Sequence, residues 1–239
     1  MRYGQFLVLW SLSFTIQPAR AESISNADRA YLVAHLEMTR EFVIQGTGGL
    51  TKDQWLFKPG PLRWSVAQCI DHLAATEEYV VKMVRERVLT AAEPLAGAFP
   101  SIAKNGLAVV EKPHPMSKLE DAIVLRWMTD RTLATQTPVE QRPPIEEVAP
   151  RETFADPQSA LEHFLAVRAA TIQYAKTTAD DLRGHFTQVA LGPGFSEMKF
   201  HDGYQWLLRM SAHTERHLIQ VQEVQRSTGY PSGPPRTIR

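Results

Sequence analysis

The pattern that most constrains the fold is an amphipathic stretch near the end of the chain, residues 202–227. Trp206 and Met210 lie at helical spacing, and His213 and His217 continue the same stripe. The pattern predicts one helix of about seven turns whose two histidines point into the protein. At a spacing of four residues, two imidazoles stand one turn apart on one face, which is the separation that lets them hold a single metal ion.

Three earlier stretches show amphipathic spacing and predict further helices, at residues 25–45, 65–90 and 156–179. Ser65 is the predicted N-cap of the second helix, and Asp156 with Pro157 predicts the start of the third. No convincing set of alternating strands is present, although residues 186–191 favour a short extended piece. Four long helices with two long connections predict an all-α four-helix bundle, in whose core metals are commonly bound.

The segment between the second and third helices, residues 91–157, is long and rich in proline. A weaker helical pattern covers residues 119–133, and residues 138–150 favour an extended or irregular course. We interpret this segment as an elaborated crossover that forms an arm over the bundle or a contact surface.

The first 21 residues have the features of a secretory signal peptide. Arg2 supplies a positive charge, residues 6–16 are a short apolar run, and Ala19 and Ala21 give the small-x-small pattern of signal peptidase. A membrane anchor or a buried first helix is the alternative, but the run is short for a bilayer and ends in Pro18. We expect cleavage after Ala21.

Length and charge favour one exported globular domain. The chain of 239 residues has 26 basic and 26 acidic side chains, so it lacks the basic excess of a nucleic-acid-binding protein. We expect a domain at residues 22–228 and a loose tail at 229–239.

No further stretch is apolar enough to cross a membrane, which predicts a soluble periplasmic or secreted protein. The single cysteine, Cys69, predicts no internal disulfide and fits a small buried apolar residue.

Three short motifs carry a family resemblance: Trp-Ser-Val-Ala-Gln at residues 64–68, His72, and His-Thr-Glu-Arg-His at residues 213–217. Together they resemble the DinB-like superfamily of metal-binding four-helix bundles. The resemblance implies a bundle of DinB-like type with a long elaborated crossover between helices 2 and 3. It extends from about the first helix to Val224 and weakens across residues 91–157.

The resemblance also implies a metal site. One histidine of the second helix and two of the last correspond to His72, His213 and His217, and three imidazoles leave one or more coordination positions open. The implied cofactor is one divalent metal ion, with zinc or nickel as the first candidates; imidazole alone does not select between metals. On the residues alone, a lone histidine such as His72 is more often a satisfied core or surface histidine than a ligand, and the spacing of His213 and His217 occurs in many helices by chance.

Two functions follow as hypotheses. The resemblance implies a metal-dependent enzyme, of thiol-dependent transferase or hydrolase type, acting on a small-molecule substrate. The alternative is a non-catalytic metal- or ligand-binding protein of the cell envelope. An exported protein meets less of the cytosolic thiol pool, which counts against the transferase. The resemblance further implies a homodimer, for which the crossover offers a surface. No serine-hydrolase elbow, zincin helix or paired-cysteine motif is present.

Five other polar residues lie on the predicted helices near the three histidines. We expect Glu215 to face away from the metal. Asp71 and Glu77 are predicted to be solvated, with orientation of a ligand as the alternative. His35 is predicted to be a hydrogen-bonded core histidine, with a position in the lining of the metal cavity as the alternative. Arg216 either pairs with a surface carboxylate or reaches an anionic substrate.

Overall fold

The structure is a computed structural model. It describes residues 24–91, 102–104, 107–109, 121–122, 124–125, 148–150, 156–188 and 200–233. The predicted signal peptide lies outside the described residues, as do most of the crossover and the last six residues of the predicted tail. The helical prediction at residues 119–133 and the irregular prediction at 138–150 also fall largely outside them.

Four long helices form the bundle and confirm the predicted all-α class. They are α1 (Asn26–Thr47), α3 (Val66–Met83), α4 (Pro157–Thr177) and α5 (Gly203–Arg226), with a short α2 (Lys52–Leu56) after α1. The predicted caps are confirmed, because Ser65 and Asp156 accept from the amides of Gln68 and Ser159. Asp202 likewise accepts from the Gln205 amide at the start of α5.

Two details differ from the sequence prediction. The second predicted helix does not run as an α-helix to residue 90, because α3 ends at Met83 and continues as a π-helical turn, Val84–Val88. The crossover contains an antiparallel hairpin of β1 (Ile102–Lys104) and β2 (Leu107–Val109). Strands of three residues carry too little alternation to be predicted from sequence.

A second hairpin precedes the last helix. It pairs β3 (Phe186–Gln188) with β4 (Phe200–Asp202) in antiparallel register, and β3 falls inside the predicted extended piece. Because β4 runs directly into α5, the hairpin fixes where that helix begins.

The helices that carry the predicted ligands are neighbours. Both α1 and α3 pack against α4 and α5, so α3 and α5 share an interface along which their side chains meet. No helix among the described residues is long and apolar enough to span a bilayer.

The apolar core consists of two clusters at opposite ends of the bundle. One cluster is represented on the four long helices by Leu36, Val80, Ile172 and Leu207. The other is represented by Val43, Leu73, Phe164 and Val221. Along every long helix a buried polar residue separates the two clusters, and these residues form what we call the polar layer: Thr39, Glu77, Arg168, Ser211 and Thr214.

Arg168 is the centre of the polar layer. Its guanidinium is fully buried and contacts the Glu77 carboxylate, with Nε to both oxygens at 2.9 Å and Nη2 to Oε2 at 2.8 Å. Nη1 donates to Thr39 Oγ1 at 2.6 Å and to the Leu36 carbonyl at 3.1 Å. Nη2 also donates to Thr214 Oγ1 at 2.9 Å. Every nitrogen of the guanidinium therefore has a hydrogen-bond acceptor, and the charge has a counterion, which is the condition for burying it.

The prediction of a solvated Glu77 is therefore wrong, since its side chain is only 1% exposed. Charged side chains are rarely buried without a partner, and the partner of Glu77 lies 91 residues away on α4.

The polar layer extends to His35 on α1. Ser211 Oγ lies 3.0 Å from Thr39 Oγ1 and 2.8 Å from His35 Nδ1. The other ring nitrogen, Nε2, lies 3.2 Å from Glu215 Oε1. His35 is thus a hydrogen-bonded core histidine, as predicted.

Candidate metal centre

Helices α3 and α5 position the three predicted ligands. The capping box of Ser65 and Gln68 begins α3 and fixes the phase of the helix, which places His72 on the face that meets α5. His213 and His217 stand one turn apart on α5. The site therefore depends on two regular helices, whose side-chain directions are fixed by packing.

The three imidazoles converge on one point. A ligand atom from each of His72, His213 and His217 lies within 4.8 Å of those of the other two. His213 Nε2 and His217 Nε2 are 2.9 Å apart, and the ring of His72 packs edge-on against both other rings at centroid distances of 5.2 and 4.6 Å. Only 6% of His72 and 3% of His217 is exposed.

Two of the three rings donate a hydrogen bond through Nδ1, the nitrogen that faces away from the other histidines. His72 Nδ1 donates to the main-chain carbonyl of Val148, a residue of the crossover. His217 Nδ1 donates to Gln220 Oε1 at 2.8 Å. Because each acceptor keeps the ring proton on Nδ1, the lone pair lies on Nε2 and faces the other histidines. His213 Nδ1 is buried and has no hydrogen-bond partner among the described residues.

The electrostatic surroundings keep these rings neutral. Burial lowers the pKa of His72. The hydrogen bond to Val148 and the charge of Asp71 raise it, but the effect of burial is larger. Burial also holds the pKa of His213 well below its usual range, because a proton there would lose its hydration, and repulsion from protonated His217 or His72 and from two nearby arginines adds to this effect. His217 is affected in the same way, with burial as the main cause and His72 as the next. Neutral imidazole is the form that binds a metal ion.

An aromatic wall and a hydroxyl flank the three histidines. The Trp64 ring lies 4.9 Å from the His72 ring and stacks on His217 at 5.9 Å with an interplanar angle of 20°. Thr76 Oγ1 lies 3.4 Å from His72 Nε2, one turn along α3. Trp64 therefore shields two of the three histidines on one side.

The residues fit a divalent metal ion. The Nε2 atoms of His213 and His217 are 2.9 Å apart. A zinc-to-nitrogen bond is about 2.0–2.1 Å long, so two nitrogens bound to one ion can be up to twice that distance apart, and one ion can contact both atoms. Two facing lone pairs at this distance repel unless a proton or a cation lies between them. Three imidazoles suit zinc, nickel, copper or iron. Among the described residues, no fourth histidine, cysteine or carboxylate joins the cluster, so the protein supplies fewer ligands than a closed tetrahedral site needs.

The other sequence-predicted residues lie around this centre but do not join it. Glu215 contacts His35, away from the metal ligands, as predicted. Asp71 is 3% exposed, so the prediction of a solvated side chain is wrong, because position 71 falls on the buried interior of α3. Arg216 is half-buried and its charge contributes to the low pKa of His213 and His217.

Sequence reasoning missed the two hydrogen-bond acceptors of the ligand rings, the Gln220 amide oxygen and the Val148 carbonyl. Gln220 lies three residues after His217, which is a recognisable spacing for contact on one helix face. The Val148 carbonyl is a main-chain group from a distant segment, 76 residues from His72, and no sequence signal marks it.

Comparison with known proteins gives one family and one similar structure. The family model described as the DinB superfamily matches residues 35–221. A solved structure described as "YfiT from Bacillus subtilis is a probable metal-dependent hydrolase with an unusual four-helix bundle topology" is similar at 15% sequence identity and a TM-score of 0.48. The similarity covers 88% of this chain and 93% of that chain. No curated protein matches the chain.

Proposed function

The chain belongs to the DinB superfamily, whose family model spans residues 35–221, and from this premise we propose that it is a metal-dependent enzyme acting on a small-molecule substrate. In this proposal His72, His213 and His217 hold one divalent ion, with zinc or nickel as the first candidates. The observation that carries the proposal is the convergence of three neutral imidazoles with their ligand atoms within 4.8 Å of one another.

The reaction proposed for this site is attack of a water or a low-molecular-weight thiol on an electrophile. When bound, a divalent ion lowers the pKa of such a nucleophile and polarises the group that it attacks. The chain's own contribution is to orient and shield. Val148 and Gln220 hold two ligand rings through Nδ1, and Trp64 excludes water from one side of His72 and His217.

The protein's own cysteine does not serve as the nucleophile. Cys69 is fully buried among apolar residues, and burial raises the pKa of its thiol to about 12. A thiol-dependent reaction therefore requires a thiol from solution, whereas hydrolysis requires only water.

Export and self-association remain parts of the proposal. The signal pattern of residues 1–21 supports a site of action outside the cytoplasm, where hydrolysis is favoured over thiol transfer. N-terminal sequencing of the exported protein should begin at Glu22. A homodimer is proposed through the crossover, and a monomeric mass by light scattering would contradict it.

A non-catalytic metal- or ligand-binding role is the second candidate. Two carboxylates on the ligand-bearing helices have other partners, since Glu77 is bound by Arg168 and Glu215 contacts His35. Neither is free to act as a general base at the metal, which favours a role without protein-based acid–base catalysis.

The metal site is tested by metal analysis of protein purified without a histidine tag. We expect close to one equivalent of divalent metal in the wild type and almost none in the His213→Ala/His217→Ala variant, because one imidazole cannot replace three. His163→Ala is the matched control, since His163 on α4 pairs with Glu78 and lies outside the cluster. Equal metal content in the wild type and the double variant would refute the site.

Catalysis is tested by incubating the metal-loaded wild type with simple esters, and separately with thiols and a generic electrophile. Turnover that disappears in the double variant and on chelation, and returns when metal is restored, supports the enzyme. A wild type that holds its metal and turns over neither class of substrate supports the binding protein.

A further inference from the structure

We propose that Gln220 is a positioning residue of the metal centre, which holds His217 in the tautomer and ring orientation that direct its Nε2 at the ion. The inference rests on the proposed metal site and goes beyond it by assigning a role to a residue outside the three ligands.

The contact between Gln220 and His217 is short and local. Gln220 Oε1 lies 2.8 Å from His217 Nδ1, and the two residues are three positions apart on α5. At this spacing their side chains lie on the same helix face. Gln220 is half-buried and His217 is buried, so water competes only weakly for the hydrogen bond.

The contact determines where the ring proton lies. A neutral imidazole carries one proton, on Nδ1 or on Nε2, and a carbonyl oxygen accepts only from the nitrogen that carries it. With Gln220 Oε1 against Nδ1, the lone pair of His217 lies on Nε2, which faces His213 Nε2 at 2.9 Å. In the other tautomer a proton would occupy the space between His217 and His213, where the ion must bind.

The three ligands differ in how they are held. His72 is held by a main-chain carbonyl, that of Val148, which no side-chain substitution removes. His213 Nδ1 has no partner in the described part of the chain. Gln220 is thus the side chain through which this support can be removed selectively, and removal of such a partner typically weakens metal binding about 10–100-fold.

The test uses two substitutions at the same position and a control. Gln220→Leu keeps the approximate shape and removes the acceptor, whereas Gln220→Glu keeps an acceptor at the same reach. Gln222→Leu is the control, because Gln222 is exposed on the same helix. Affinity is measured by competing zinc against a chromophoric chelator, and geometry by the absorption spectrum of the cobalt-loaded protein.

We expect Gln220→Leu to bind zinc about 10–100-fold more weakly, with an altered cobalt spectrum, while Gln220→Glu and Gln222→Leu retain at least wild-type affinity. Nitrogen-15 NMR of the metal-free histidines should show a protonated Nδ1 at His217 in the wild type and a shift toward protonated Nε2 in Gln220→Leu. A purely structural role for Gln220 would leave this tautomer signal unchanged.

Three results would overturn the inference. If the wild type binds zinc and Gln220→Leu binds it equally well, the inference fails and the metal site stands. If Gln220→Leu and Gln220→Glu weaken binding equally, the acceptor is not the cause. If the wild type itself binds no metal, the proposed function fails together with the inference.

Discussion

Glu77→Leu should be among the most destabilising substitutions in the bundle, because it leaves the buried charge of Arg168 without its counterion. The guanidinium is 0% exposed, so water cannot replace the lost carboxylate. Nε loses both of its hydrogen bonds and Nη2 loses its ion-pair contact, whereas the donations to Thr39, Thr214 and the Leu36 carbonyl remain.

The expected magnitude follows from these contacts. Two hydrogen bonds to a charged group contribute roughly 1.5–3 kcal/mol each, which gives about 3–6 kcal/mol. Breaking a buried ion pair from one side typically costs about 3–5 kcal/mol, in agreement. For a domain of this size the melting temperature should fall by about 2–4 °C per kcal/mol.

The measurement is chemical denaturation of four proteins: the wild type, Glu77→Leu, Arg168→Met, and the double variant. The double variant should lose less stability than Glu77→Leu alone, because it removes the unpaired charge together with its partner. Lys176→Met on the same helix is the control; its partner Glu37 is 42% exposed, so the loss should stay below about 1 kcal/mol. A double variant that loses the sum of the two single losses would refute the argument.

Two further predictions concern buried titratable groups. Cys69, whose pKa burial raises to about 12, should resist thiol–disulfide exchange with a chromogenic disulfide at pH 8 in the native protein and react at once in denaturant, as measured by release of the coloured thiolate; rapid reaction of the native protein would contradict its burial. Burial raises the pKa of Asp202 to about 7 from an ordinary 3.8, assisted by Asp121 and opposed by Arg183. The native state therefore holds this proton more tightly than the unfolded chain, and the Asp202 contribution to the free energy of unfolding is full below about pH 4 and lost as the pH rises through about 7. As the pH rises from about 4 to about 7, the free energy of unfolding of the wild type should fall relative to that of Asp202→Asn. Parallel plots of the free energy of unfolding against pH for the two proteins would contradict the raised pKa.

The helices were predictable because their signals are local. Ser65, Asp156 and Asp202 each begin a helix through a side-chain acceptor three residues before the amide that it binds, and this pattern is visible in sequence. The π-helical turn at Val84–Val88 was not predictable, since its apolar spacing does not differ from that of an α-helix over five residues.

The buried ion pair was missed, although the sequence contains a signal for it. Arg168 interrupts the apolar stripe of α4 between Phe164 and Ile172, and Glu77 interrupts that of α3 between Leu73 and Val80. A positive residue that interrupts the apolar stripe of one helix and a negative residue that interrupts the stripe of another indicate a buried ion pair. The inference requires that the two helices are known to be neighbours. Sequence spacing alone does not give that adjacency.

For the candidate metal centre, the motifs of residues 64–68 and 213–217, with His72 between them, indicated three histidines, and their ligand atoms lie within 4.8 Å of one another. The groups behind them required coordinates. Val148 belongs to the crossover, whose course follows from no periodicity, and the stacking of Trp64 on His217 depends on how the loop before α3 meets α5.

The polar layer has a consequence for how this scaffold can evolve. It fixes the alignment of the four helices, because sliding α3 or α4 by a turn would move Glu77 or Arg168 into an apolar cluster. Sliding α1 or α5 would remove the hydroxyl of Thr39 or Thr214 from the guanidinium. Among the described residues, the cluster on the far side of the layer, with Leu36 and Leu207, contains none of the three histidines. We therefore expect that natural variation can replace His72, His213 and His217 without unfolding the bundle, so that proteins with different reactions can share the same fold.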